Sequence, residues 1–217
     1  MNFMAIMLNL FFGYRRKFIL VAIFLPIFLL NPPMTWGAGY QKGLEAAREG
    51  DFAEANRLWR PLAEQGNANA QFSLGNMYQF GDGVVKDHKI AARWYERAAI
   101  QGVAKAQYNL GFLFYNSQHL NRDDKAAVKW FRLAAEQGFL LAQTNLGVAY
   151  GEGRGIERND ILAYMWLNIA ATSGDRNAQA NIRQIHLRMS QTDLAKARKL
   201  ATDCVKSQFK GCGATPI

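Results

Sequence analysis

Three histidines, two cysteines and 17 acidic side chains are the groups of this 217-residue sequence suited to metal binding, nucleophilic attack or proton transfer. His88, His119 and His186 lie far apart. No His-x-x-x-His or His-Glu-x-x-His spacing sets two of them on one helical face, as a metal or hydrolytic centre requires. Surface positions are predicted for all three. Cys204 and Cys212 are eight apart, without the Cys-x-x-Cys spacing of redox or zinc sites. In an exported chain such a close pair predicts a disulfide, worth about 2.5 kcal/mol on chain-entropy grounds, that pins Val205 to Gly213 onto the last helix. The run Gly151-Glu152-Gly153-Arg154-Gly155 follows a helical pattern rather than a strand and lacks the Gly-Lys-Ser/Thr ending of a phosphate loop. Asp82 and Asp87 do not alternate as calcium ligands do, and no Gly-x-Ser-x-Gly elbow is present. The sequence leaves open a pair of carboxylates meeting in space for glycoside chemistry. No catalytic residue, metal ligand or cofactor site is predicted.

The elements that would have to position any site repeat at one fixed interval of 36 residues. Gly66, Gly102, Gly138 and Gly174 keep it, as do Ala70, Ala106, Ala142 and Ala178, and so do Leu74, Leu110 and Leu146 with the glycine after each. Trp94, Trp130 and Trp166 follow the same interval. Such a period means one supersecondary unit copied in tandem, whose neighbours bury what it cannot bury alone. Each copy carries two apolar stretches of helical period, Ala70 to Tyr78 and Ile90 to Ala99 in the first. Asp87, Asp123 and Asn159 are placed to cap the second helices, and Gly102, Gly138 and Gly174 to end them. Gly75, Gly111 and Gly147 fall in mid-helix, where each costs about 1 kcal/mol relative to alanine. Close approach of the partner helix is the expected compensation, with Trp94, Trp130 and Trp166 filling the gap between layers. The middle copy departs from the others: Ser117 and His119 replace its two loop glycines, which predicts a different turn after Tyr115.

Residues 1–38 read as a signal peptide, with Arg15, Arg16 and Lys17 ahead of the apolar run Phe18 to Leu30 and small residues at Gly37 and Ala38 for cleavage. An uncleaved anchor is the alternative. The chain is therefore expected in the periplasm or outside the cell, without stable membrane insertion once the leader is removed. Of the net charge of +9, the leader carries three and the stretch from Asp175 onward, with eight Lys/Arg against three Asp, carries five. That basic end predicts a solvated face, with weak contact to an anionic polymer or lipid as the alternative. Nucleic acid is not an expected partner.

Ala70-Gln71-x-x-Leu74-Gly75-x-x-Tyr78, then Gly81-x-Gly83-Val84-x-x-Asp87, Ala91, Trp94-Tyr95, Ala98-Ala99 and Gln101-Gly102 resemble the Sel-one-like repeat (SLR), a relative of the tetratricopeptide repeat. The resemblance implies an all-α fold, a right-handed α-solenoid of antiparallel helix hairpins. It implies an N-terminal hairpin at 39–66, three repeats over 69–174 (69–104, 105–140 and 141–176) and a capping hairpin and tail at 177–217. The family's members are adaptors in protein assemblies. A non-enzymatic scaffold of the cell envelope is thus implied, binding a protein or peptide partner on the concave face. By similarity to tetratricopeptide repeats that face carries Phe72, Asn76, Gln79 and Phe80, then Tyr108, Phe112 and Tyr115, then Thr144, Val148 and Glu152. Packing of Phe72, Phe112 and Tyr115 into neighbouring units is the competing expectation. Some cysteine-rich relatives bind or hydrolyse penicillins, but they carry a cysteine pair in nearly every repeat and these copies carry none. A structural role beside envelope polysaccharide is a further alternative.

Overall fold

The apolar periods become ten helices among the described residues: α1 (Pro33–Arg48), α2 (Phe52–Glu64), α3 (Ala68–Phe80), α4 (His88–Ile100), α5 (Ala104–Tyr115), α6 (Asp124–Ala135), α7 (Leu140–Glu152), α8 (Asp160–Thr172), α9 (Arg176–His186) and α10 (Gln191–Lys206). The computed structural model describes residues 33–116 and 121–212. Most of the expected leader (1–32) and the middle-copy residues Ser117 and His119 lie outside the described residues. The repeats fall within the unit Trp36–Ile217. No helix among the described residues is long and apolar enough to cross a membrane.

Short polar side chains start the second helices of the hairpins. Asp87 accepts from the amides of Lys89 and Ile90, Asp123 from Ala126 and Asn159 from Leu162. Left-handed glycines follow their ends, at φ +89° for Gly102, +79° for Gly138 and +97° for Gly174. Each second helix packs on the first helix of its own hairpin and on that of the next, so α4 lies between α3 and α5, and α6 between α5 and α7. The hairpins form an α-solenoid whose buried apolar residues gather in three successive clusters.

The mid-helix glycines are where paired helices touch. A Cβ on Gly75 would stand 2.5 Å from the Tyr95 ring, one on Gly111 2.9 Å from Phe131, and one on Gly147 2.8 Å from Leu167. The N-terminal pair repeats the device with Gly43 against the indole of Trp59. The residue that lies on each glycine is therefore the one after the repeat tryptophan, while Trp94 and Trp166 are buried beside it as expected of core residues. Trp94 turns toward the preceding hairpin and joins Trp59, Leu74 and Met77. The contact with the glycine falls one residue, or about 100° of helix, past the tryptophan.

A second device joins one hairpin to the next. Gln71, Gln107 and Gln143, only 4%, 4% and 1% exposed, donate their side-chain amides to the carbonyls of Ala63 (2.9 Å), Ala99 (3.0 Å) and Ala135 (3.3 Å). Those carbonyls lie in the last turns of α2, α4 and α6, where each also accepts the amide of the turn glycine, Gly66 (3.1 Å), Gly102 (3.0 Å) or Gly138 (2.9 Å), so the glutamine fills the second acceptor position. Gln101 and Gln137 close the pattern by donating to the Oε1 atoms of Gln71 (2.7 Å) and Gln107 (2.8 Å). A buried amide is thus spent at every boundary between repeats.

The C-terminal pair breaks this pattern. Where the copies have Leu-Gly, α9 has Ile182-Arg183, so no bare backbone invites a close partner. Both α9 and α10 pack on α8, with Leu194, Ala197, Ala201 and Cys204 of α10 buried. Gly111→Ala separates close approach from helix propensity. The variant gains up to about 1 kcal/mol of helix propensity but overpacks Phe131 at about 1–3 kcal/mol. A lower urea midpoint is expected.

Candidate functional site

The first helices α3, α5 and α7 carry the residues expected to meet a partner, and their burial sorts them into three groups. At the N-terminal end, Asn76 and Gln79 are half-buried and converge on one hydroxyl. The Tyr95 oxygen lies 2.7 Å from Asn76 Oδ1 and 2.5 Å from Gln79 Oε1, so one proton is shared between two carbonyls. Asn109 Nδ2 also donates to Asn76 Oδ1 at 3.4 Å. The Tyr95 ring is fully buried, pressed on Gly75, and burial raises its pKa while the Asn109 amide opposes the rise. Phe72 sits 5.9 Å from the same ring. Phe80, at the end of α3, is 63% exposed.

The middle group is aromatic. Tyr108 lies 5.1 Å from Phe139, 5.9 Å from Phe131 and 6.2 Å from Phe112. Tyr115 meets Phe131 edge-on at 5.8 Å, and the Arg154 guanidinium lies over the Tyr115 ring, 3.5 Å from its centroid. Arg154 also donates to the Tyr115 carbonyl at 3.2 Å and pairs with Asp124 at 3.0 Å. Arg122, 2.6 Å from Asp124, is the first cause holding that carboxyl below the usual carboxylate range. The Tyr115 hydroxyl donates to Glu152 Oε2 at 3.3 Å. Burial first, with Glu152 adding, pushes Tyr115 up to about 12. The repeat's glycine turn makes this contact possible, since a Cβ on Gly155 would fall 2.1 Å from the Asp124 carbonyl.

The third group separates. Thr144 is 5% exposed and its hydroxyl donates to the buried Asp175 at 2.7 Å, while Asp175 caps α9 through the amides of Asn177 and Ala178. Its side chain is committed to the next unit, as Tyr108 is to Phe139 one repeat earlier. Val148 stays half-buried and, with the exposed Glu152, borders a cleft of ≈ 170 Å³ completed by Asn181, Gln184, Ile185 and Arg188. Arg188 is held there by Asp160 (3.1 Å) and the Gly151 carbonyl (3.4 Å). The sequence reading missed Arg154, Tyr95 and the α9 side of the cleft. The 36-residue spacing of Asn109, Asn145 and Asn181 was a visible signal for part of that wall.

Cys204 and Cys212 are joined in a disulfide. His88 opens α4 and His186 closes α9; His119 lies outside the described residues. Among the described residues no group of three His, Cys, Asp or Glu gathers as a metal site.

The model of the Sel1 repeat family matches residues 36–67, 68–103, 104–139 and 140–175. This chain belongs to the Sel1 repeat family. The last three matched segments open on the first residues of α3, α5 and α7. The crystal structure of a Sel1 repeat protein from Oxalobacter formigenes is similar at 32% identity and TM-score 0.53, over 58% of this chain and 95% of that one. The crystal structure of a protective antigen of uropathogenic Escherichia coli strains, displaying an SLR fold, is similar at 25% identity and TM-score 0.56. That likeness covers 80% of this chain and 47% of the antigen. No match to a curated protein was found. Sel1 repeats are in general protein–protein interaction modules and typically not enzymes.

Because Tyr95 and Tyr115 titrate higher when folded than when unfolded, the folded chain holds more protons above pH ~10, the ordinary tyrosine value. The stability they contribute is complete below that pH and is lost as pH rises toward the folded values. Urea unfolding across this alkaline range is expected to show a falling midpoint, and Tyr115→Phe a shallower fall.

Proposed function

We propose that this Sel1 repeat protein is an exported, non-enzymatic scaffold that holds a protein or peptide partner of the cell envelope on the wall formed by α3, α5 and α7. The observation that carries this reading is that the wall's side chains are held in place yet only half-buried, at Asn76, Gln79, Phe112, Tyr115 and Val148. Rings fixed in this way give contact area at low entropic cost, and amides beside them can pair with a peptide backbone. Phe72 and Tyr108, equally half-buried and packed on Tyr95 and Phe139, belong to the same wall. Export is supported by the basic-then-apolar leader pattern of residues 1–38 and by the Cys204–Cys212 bridge, which suits an oxidising compartment. We assign 39–66 to an opening hairpin, 69–174 to the repeats that build the wall, and 177–217 to its closing end.

Photo-crosslinking in the native envelope tests the reading. A probe at Gln79 or Val148 is expected to label one protein partner in stoichiometric yield, whereas a probe at Lys129, exposed on the second helix α6, labels none. Labelling from Lys129 alone would place the contact on the opposite layer and overturn the proposal.

A further inference from the structure

The four equivalent turns at Gly66, Gly102, Gly138 and Gly174 share one left-handed conformation, but only one of them is covered. A Cβ on Gly66, Gly102 or Gly174 would meet nothing within 4 Å. One on Gly138 would lie 3.1 Å from Cε2 and 3.4 Å from Cδ2 of Phe209. Phe209 comes from the far end of the chain, past α10, and reaches back to the turn between α6 and α7.

The segment that delivers this ring has an unusual backbone. Gln208 and Phe209 adopt φ +54° and +65°, a conformation that side-chain-bearing residues seldom take and that persists only where the surroundings enforce it. Here the enforcement is visible. The Phe209 amide donates to the Cys204 carbonyl at 2.9 Å, the Ser207 hydroxyl reaches the same carbonyl at 2.9 Å, and the bridge to Cys212 closes the loop around both. Cys204 and Cys212 are 4% and 8% exposed, and the bridge borders a cleft of ≈ 260 Å³ lined by Met165, Leu200, Asp203 and Lys210.

We propose that the Cys204–Cys212 disulfide is a redox latch that seats Phe209 on the Gly138 turn and so clips the closing helices to the end of the second repeat, 105–140. Terminal units of a solenoid have a neighbour on one side only and fray first. The clip supplies the missing constraint by tying residue 209 to a turn that precedes α7. A dithiol that enters the cleft opens the latch by exchange. Its two thiols become a disulfide, and two electrons and two protons pass to Cys204 and Cys212 as thiols. The Gln208–Phe209 backbone then relaxes, the ring leaves Gly138, and the end of the solenoid loosens without loss of the repeats.

Amide hydrogen exchange, read by mass spectrometry on the full chain, tests the latch in the oxidised protein, in the protein treated with dithiothreitol, and in oxidised Phe209→Ala. Both treatments are expected to raise exchange about tenfold or more at the turn Gln137–Phe139 while α3–α5 stay unchanged. Phe209→Ala leaves the bridge intact, so its effect isolates the ring from the disulfide. Protection at Gln137–Phe139 that survives either treatment overturns the proposal. So does a rise that spreads through α3–α5, which would make the bridge a support of the whole fold.

Discussion

A buried side-chain amide must find an acceptor, and in this protein a glutamine of each following hairpin finds it on a helix-end carbonyl of the hairpin before, beside the turn glycine's own N–H. Three such amides, from Gln71, Gln107 and Gln143, reach the last turns of α2, α4 and α6 with the same sequence offset each time. A hydrophobic boundary alone tolerates sliding, because apolar contact is non-directional. A hydrogen bond inside that boundary does not, since a shift of one residue would strand the buried glutamine amide where no water can replace its partner. Apolar burial holds the hairpins together, and the amides set where each one sits.

Within a hairpin the constraint is steric. Gly43, Gly75, Gly111 and Gly147 each give up a side chain so that a ring or a leucine of the partner helix can lie on bare backbone. The choice of that partner tunes the wall above it. Tyr95 sends its hydroxyl up into Asn76 and Gln79, whereas Phe131 in the next copy has no hydroxyl and meets Tyr108 and Tyr115 instead. The same backbone thus presents amides at one end of the wall and rings in the middle. Arg154 then ties the third unit's turn to Tyr115 and Asp124 of the second.

Much of this architecture was legible in the sequence because the repeat interval is unbroken. The helix starts at Asp87, Asp123 and Asn159, the left-handed turns at Gly102, Gly138 and Gly174, and the need for close approach at Gly75, Gly111 and Gly147 could all be read from residue type and position. Which residue meets the glycine could not, because that depends on the rotation of one helix about its axis, and Tyr95 stands beside Trp94 in the chain. Gln71 and Gln101 were visible as a motif, but their role needs the distance to Ala63 and to each other. Thr144 held the place of Phe72 and Tyr108 in the pattern, yet its small hydroxyl met the carboxylate of Asp175 and was drawn inside. Periodicity locates a position on the wall. Chemistry decides whether its side chain stays there.

The amide ladder is most directly tested by urea unfolding of Gln107→Met, which keeps the volume of the side chain and removes its donor. Ala99 then loses one of its two donors, keeping the Gly102 amide, and the exposed Gln137 amide loses the shorter of its two acceptors, keeping the Leu133 carbonyl. The account predicts a loss of about 0.5–1.5 kcal/mol and a transition that broadens as the hairpins on either side uncouple. A midpoint and slope equal to those of the unsubstituted protein would show that apolar packing alone sets the register.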